Sequence, residues 1–433
     1  MATHQNPVVV VPGITASDLH DQYPLDSEHI WSMVFNKDFE RIALHPDDLR
    51  YEAVEPARVV VGGSFPIYND LVRALRHELS PRADRPTPVF LFPYDWRRDI
   101  RDTAKLLGDF VQEVLSRTRL LKHYANPEGL KVDLVGHSMG GLVITEYLAQ
   151  AGRSADVGKV ATLGTPFRGS VEAVVKITTG MSLLAGSEPK EREREAARVT
   201  PAVYQLLPWF SGAAFRLEGG PVIDLFDPAN MQASVCASLE EFVRLYSVHT
   251  PASDRKARAE ALLTELLDGG RAIRNSVEAF RPHQAGMTRS DWLAIVGIGE
   301  DTRNSVAVEQ RPNGHRFVID DAQFQSEIAT RRTGDHTVPL VGAIPPFLPE
   351  SHVVCVMRSD LGRFELRDKL LVSLGGFHSL LPKINLVQRL VTKFLRPSYG
   401  GRVWGRRLPR LRSWNPPIDG LDDRVDSHGY GDD

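Results

Sequence analysis

Residues 136–140 read Gly136-His137-Ser138-Met139-Gly140, a serine framed by glycines two positions away on either side. The run 131–135 before it is strand-like and the run 142–149 after it is helix-like, so G-x-S-x-G falls in a strand–turn–helix context, the pattern of a nucleophile elbow. A turn this tight strains the serine backbone and needs neighbours almost free of side chain; Gly136 and Gly140 supply that room, and Gly141 extends it. The strain lifts the Ser138 hydroxyl above the sheet edge, where a base can reach it. The bare pattern also arises by chance in glycine-rich turns, and the flanking strand and helix favour catalysis over that alternative.

A serine hydroxyl is a weak nucleophile and needs a base, itself oriented by a carboxylate. After an elbow the chain order is Ser, then Asp or Glu, then His. Asp335, in Gly334-Asp335-His336-Thr337-Val338-Pro339, suits a carboxylate held on a tight loop by backbone N–H groups; a plain turn aspartate is the alternative. Three histidines follow in the right order. His336 adjoins the carboxylate in sequence, which makes it a poor relay partner. His352 opens a strand-like run and would sit at its far end. His378 follows that run and precedes a closing helix, where the base belongs, with His336 as its main rival. The tetrahedral intermediate also needs two backbone donors. One is Met139 N–H, after the nucleophile, and the other is Ile14 N–H, on the Val11-Pro12-Gly13-Ile14 loop that follows an all-valine strand. A simple strand-ending turn is the alternative there.

Positioning these groups requires a sheet whose strand ends converge. Strand-like runs at 8–11, 89–92, 132–135 and 160–163 alternate with helix-like runs at 68–79, 100–118 and 142–151. Late strands at 293–297 and 352–357 and a helix at 385–395 complete the pattern. This alternation predicts an α/β fold, a mostly parallel sheet with helices on both faces. Its core divides into 1–170 and 291–396, with an inserted cap or lid at 171–290 and a tail at 397–433. Within the insertion, the charge run Lys190-Glu191-Arg192-Glu193-Arg194-Glu195 reads as a solvated helix face or as the polar outside of a mobile lid, whose apolar inside Ile177, Met181, Leu183 and Leu184 could supply. A hairpin is expected at 304–320, turned by Asn313-Gly314. The tail is rich in Arg (402, 406, 407, 410, 412) with Trp404 and Trp414, then turns acidic. It is expected to be disordered, to wrap over the domain, or to touch an anionic lipid surface.

The 433 residues, 42% hydrophobic and 25% charged, suit a globular protein of one large domain with insertions or of two domains. A formal net charge of −3 argues against a nucleic-acid binder. Two cysteines, Cys236 and Cys355, point to a reducing compartment more than to a disulfide framework. The opening MATHQNPVVVVPG lacks a basic region and a long apolar segment, and no apolar run reaches the roughly 20 residues a bilayer span takes. The expectation is a cytoplasmic protein, peripheral to membranes if it meets them at all. No clustered metal-ligand spacing or glycine-rich phosphate loop calls for a metal or an organic cofactor.

Several segments resemble the lecithin:cholesterol acyltransferase family, which includes lysosomal phospholipase A2. Pro7–Gly13 is similar to that family's first strand and oxyanion loop. Phe92-Pro93-Tyr94-Asp95-Trp96-Arg97 resembles its most specific segment, and VDLVGHSMGG its elbow. Leu163-Gly164-Thr165-Pro166-Phe167-Arg168-Gly169-Ser170, the run VTPAVYQLLPW at 199–209, the run 295–299 and the Asp335 loop resemble later family segments. The resemblance implies an α/β-hydrolase with a cap and lid, acting on acyl esters, in particular lipid acyl esters, through an acyl-enzyme. It supports Ser138, Asp335 and His378 as triad and Ile14 and Met139 as oxyanion donors. Two alternatives stand beside a lipase, phospholipase or acyltransferase: a cytosolic esterase or lactonase on a soluble ester, and a non-catalytic scaffold of the same fold.

Overall fold

Four valines in a row leave a strand no wet face, so Val8–Val11 must lie inside a sheet covered on both sides. The structure, a computed structural model, describes residues 4–23, 26–32, 37–54, 57–64, 66–124, 129–150, 156–180, 191–220, 222–312, 314–319, 330–362, 376–408 and 411–424. In it all four valines are fully buried, each worth about 1.5–3 kcal/mol relative to exposure. Val9 and Val11 pack into one hydrophobic cluster and Val8 and Val10 into another, on opposite faces of the sheet.

That sheet has six strands in the spatial order Val353–Met357, Trp292–Ile298, Val157–Leu163, Val132–His137, Val8–Val11, Val89–Leu91. Every neighbouring pair is parallel. One face is covered by the helices Asn69–Leu79 and Asn385–Leu395, whose leucines at 71, 75, 79, 386 and 390 are buried. The other carries Ile100–Arg119 and Met139–Ala149, and then residues of 171–290. The register aligns Val11 with Gly136 and His137 with Leu163, which brings the loops after these strands to one edge.

Within residues 171–290 lie the helices Val171–Thr179, Glu191–Arg198, Ala233–Tyr246 and Arg255–Ala279. The expected hairpin exists as Val306–Arg311 paired with Gly314–Val318, though Asn313 of its turn lies outside the described residues. Its first strand also pairs with Ala214–Arg216, which ties the hairpin to the insertion. A three-stranded antiparallel sheet, Glu28–Trp31, Ser17–Asp21 and Val59–Ser64, was not expected from sequence. Its strands are short and mix charged with apolar residues (SDLHD, EHIW), so they carry little periodic signal.

The tail folds back onto the sheet where it is described. Cys355 and Arg406 exchange backbone hydrogen bonds of 2.8 and 3.1 Å, and Trp414 Nε1–H donates to Val353 O at 2.9 Å. The exposed edge of the last strand is thereby covered, which removes a template for edge-to-edge pairing. The Arg389 and Arg424 guanidinium groups lie 5.4 and 4.1 Å from the Trp404 ring centre. Asp422 and Asp423 lie 3.6 and 3.5 Å from Arg402 and Arg407, so the acidic end of the tail answers its basic start.

One buried carboxyl sets a pH dependence. Asp133, inside the elbow strand, accepts from Asn6 Nδ2 and Lys159 N–H at 2.9 Å each, and burial pushes its pKa up to about 6. A raised folded pKa leaves stability whole below the unfolded value and removes it as pH climbs through about 6. The shift of about two units corresponds to roughly 3 kcal/mol. Asp133→Asn, which keeps the accepting oxygen, is therefore expected to be more stable than the parent at about pH 8 and to lose this pH dependence. Urea titrations at about pH 5 and about pH 8 check it; identical midpoint shifts at both would contradict the assignment.

Candidate active site

Ser138 follows the buried strand Val132–His137 and takes φ 53°, ψ −130°, one of three non-glycine residues with positive φ among the described residues. Such a conformation costs about 1–3 kcal/mol and persists only where its surroundings impose it. Here they do. A Cβ on Gly140 would stand 2.2 Å from Val11 O, so the elbow helix can lie against the first strand only with glycine there. The helix begins at Met139 rather than at 142, where the helix-like run starts, because the turn at Ser138 releases the next residue straight into helical geometry. The intervening glycines mask that start in the sequence.

The loop after the first strand is clamped at three points. Tyr94 O–H donates to Pro12 O at 2.8 Å, Gly13 N–H donates to Tyr68 Oη at 2.8 Å, and Trp31 Nε1–H donates to Thr15 O at 3.2 Å. These anchors account for the atoms on either side of Ile14 N–H and leave that group, like Met139 N–H, without a backbone acceptor among the described residues. Gly13 passes so near the elbow that a Cβ there would be 2.9 Å from Ser138 Cβ. Tyr94 and Trp96 belong to the segment Phe92–Arg97 noted above, to which sequence reasoning gave no role. Its Arg97 is fully buried between Asp95 and Glu52, 2.8 Å from each, and donates to Ile42 O. That ion pair anchors a segment whose Tyr94 braces the loop and whose Trp96 lines the cavity below.

Asp335 follows the strand Thr330–Gly334, paired antiparallel with Glu300–Arg303, which continues from the central strand Trp292–Ile298. Thr337 N–H and Val338 N–H donate to its Oδ1 at 3.1 and 2.7 Å. Its Oδ2 stands 2.6 Å from His378 Nδ1, and His378 N–H donates to Asp335 O at 2.9 Å. Both side chains are buried. A Cβ on Gly164, at the end of the strand beside the elbow, would be 2.9 Å from Asp335 Oδ2 and 3.1 Å from His378 Nδ1. The His378 ring centre lies 5.0 Å from that of His137, the residue before the serine. With Nδ1–H donated to the carboxylate, Nε2 holds the lone pair, and it is buried with no partner among the described residues. No Ser138 Oγ–His378 Nε2 hydrogen bond is formed here; such bonds often tighten only when substrate is bound.

His336 is placed otherwise. Its backbone has φ 83°, its N–H donates to Thr302 Oγ1, and its Nδ1 lies 3.0 Å from Glu300 Oε2. His352 sits in a single turn before the last strand.

Ser138 opens on a cavity of about 160 Å³ between the core and the insertion. Ile14, Trp31, Phe39, Ile42, Trp96 and Val338 supply part of its wall, and Ala173, Ala196, Ala197 and Val203 the cap side. The charge run borders this cavity through Glu193, in the helix Glu191–Arg198. Glu193 is buried against Lys176, and Arg192 reaches Glu40. Arg198 donates to Ile177 O at 3.0 Å and Ser234 O at 2.9 Å, and burial lowers its pKa to about 10. Ala196 and Ala197 line the cavity and Ile177 is buried; Lys190, Met181, Leu183 and Leu184 lie outside the described residues.

Residues 56–225 match the lecithin:cholesterol acyltransferase family model. Over those residues, less than half of the chain, it is similar to that family. The match takes in the Phe92–Arg97 segment, the elbow and the strand after it, and stops before Asp335 and His378, whose placement rests on the geometry above. A stretch of 105 residues is 32% identical to phospholipase A(1) LCAT3 of Arabidopsis thaliana, covering 24% of this chain and 22% of that protein, less than a quarter of its length. Among solved structures, a chain of the Tle4-Tli4 complex superposes with a TM-score of 0.55 at 14% identity over 90% of this chain and 98% of that one. A lipase of Bacillus licheniformis, BlEst2 in mature form, gives 0.38 at 12% identity over 90% and 92%. The sheet order, the elbow and the first of these superpositions establish the α/β-hydrolase fold.

Proposed function

We propose that this protein is a serine-dependent hydrolase or acyltransferase of lipid acyl esters, working through an acyl-enzyme. The observation that carries the reading is Ser138, held in the strained elbow conformation at the wall of an apolar cavity beside a buried His378–Asp335 pair. In this reading His378 Nε2 takes the Ser138 proton as Oγ attacks the acyl carbonyl, and Asp335 supports the imidazolium. Ile14 N–H and Met139 N–H stabilise the oxyanion. His378 then protonates the leaving alkoxide, and water or an alcohol releases the acyl group from Ser138 by the reverse sequence. The acyl chain lies along Trp31, Phe39, Trp96 and the alanines of the cap. The family match supports lipid esters as substrates, and the protein would meet them as a cytoplasmic enzyme peripheral to the membrane.

Phosphatidylcholine vesicles and a micromolar short-chain p-nitrophenyl ester, each incubated with the protein, separate this reading from a soluble-ester hydrolase. Release of fatty acid and lysophospholipid from vesicles is expected, detected by mass spectrometry. Turnover of the soluble ester with none on phosphatidylcholine, triacylglycerol or sterol-ester dispersions would sink the lipid reading.

A further inference from the structure

His137 stands next to the nucleophile, yet neither of its ring nitrogens faces the reaction. Its Nδ1 is 2.8 Å from Tyr68 Oη and its Nε2 is 3.1 Å from the main-chain O of His378. Tyr68 Oη in turn accepts from Gly13 N–H at 2.8 Å. The two ends, together with the charge of the imidazole, decide the protons between them. An amide N–H can only donate, so the phenol oxygen accepts at that side. A carbonyl oxygen can only accept, so His137 carries its proton on Nε2. In a neutral imidazole Nδ1 is then the acceptor, and the phenol proton points at it. With the imidazole neutral, one arrangement satisfies all three bonds, and in it the phenol is protonated. Burial favours both: it holds the His137 pKa well below the ordinary value, with the nearby His378 adding to the effect, and raises that of Tyr68.

The three bonds join parts of the chain 55, 69 and 241 residues apart. They run from the residue before the Ile14 donor, through the residue before the nucleophile, to the backbone of His378, whose N–H is itself bonded to Asp335 O.

We propose that Tyr68 and His137 are positioning residues, a neutral relay of fixed direction that locks the oxyanion loop, the elbow and the base loop into one register. The inference rests on the serine mechanism proposed above. It assigns His137 no proton transfer, because both of its nitrogens are spent.

Tyr68→Phe keeps the buried ring and removes only the oxygen that bridges Gly13 and His137. Its kcat on the p-nitrophenyl ester is expected to fall about ten- to a hundredfold, with KM within about twofold of the parent. A substitution that merely loosened the core would lower thermal stability without that split. Because the residues act as one chain, Tyr68→Phe combined with His137→Ala should cost little more than the worse single change. Ser138→Ala in the same assay separates the two levels of the argument. Turnover that survives in Ser138→Ala defeats the serine mechanism itself. Loss in Ser138→Ala together with parental kcat in a folded Tyr68→Phe defeats the relay alone. Independently of any variant, nitrogen-15 NMR of the parent should show His137 protonated on Nε2 and bare on Nδ1 from about pH 5 to about pH 8, the range in which an ordinary histidine titrates. The opposite tautomer, or titration within that range, overturns the proposal.

Discussion

Ser138→Ala is expected to lower turnover on the order of 10⁴- to 10⁶-fold while the protein stays folded, because it removes the hydroxyl that attacks the acyl carbonyl in the proposed mechanism. The same position carries a second, opposite expectation. At φ 53° and ψ −130° the serine backbone is strained by about 1–3 kcal/mol, and the contacts of Gly140 with Val11 and of Gly13 with Ser138 show what imposes it. Glycine occupies such a conformation without a Cβ penalty. Ser138→Gly should therefore be equally inactive and more stable than Ser138→Ala, by about 1–2 kcal/mol after the added chain entropy of glycine is subtracted. Thermal unfolding of the two variants, with fluorophosphonate labelling as the readout of the nucleophile, checks both halves. A glycine variant no more stable than the alanine variant would mean that the turn stores no strain.

The parts of this site differ in how legible they are. Ser138 is readable because an elbow needs glycines at fixed offsets and a strand and helix around them, all local. Asp335 and His378 are readable by chain order, though 43 residues separate them and only the fold brings Nδ1 within 2.6 Å of the carboxylate. The clamp on the loop that carries Ile14 is different. Tyr68, Tyr94 and Trp31 act through single hydrogen bonds to backbone atoms distant in sequence, and an aromatic residue in a helix start or a loop looks the same with or without such a bond. The motif around Tyr94 marked the place without its purpose. The charge run was legible as a helix and not as a buried one: Glu193 and Arg198 find partners in Lys176, Ile177 and Ser234 that no spacing rule announces. The three-stranded sheet was missed for a related reason, since its short strands draw their stability from one another and from Trp31 packed on Trp96, 4.9 Å between ring centres.

The assignment of the base turns on a comparison of three substitutions. His378→Ala should reduce turnover as severely as loss of the serine, since the nucleophile then has no proton acceptor. His336→Ala should stay within about threefold of the parent, because its ring faces Glu300 and lies outside the cavity wall. Asp335→Asn is the most informative. The two backbone N–H groups of Thr337 and Val338 already point at Oδ1, so the asparagine oxygen must stay there and its NH₂ must turn toward His378 Nδ1. That group donates and cannot accept, which forces Nδ1 to hold the lone pair and moves the ring proton to Nε2, the atom that should receive the serine proton. A loss on the order of 10⁴-fold in kcat follows from the wrong tautomer alone, with the geometry of the site intact. Asparagine at 335 with near-parental kcat, or activity retained in His378→Ala and lost in His336→Ala, would move the base to the other histidine and leave the buried pair a structural one.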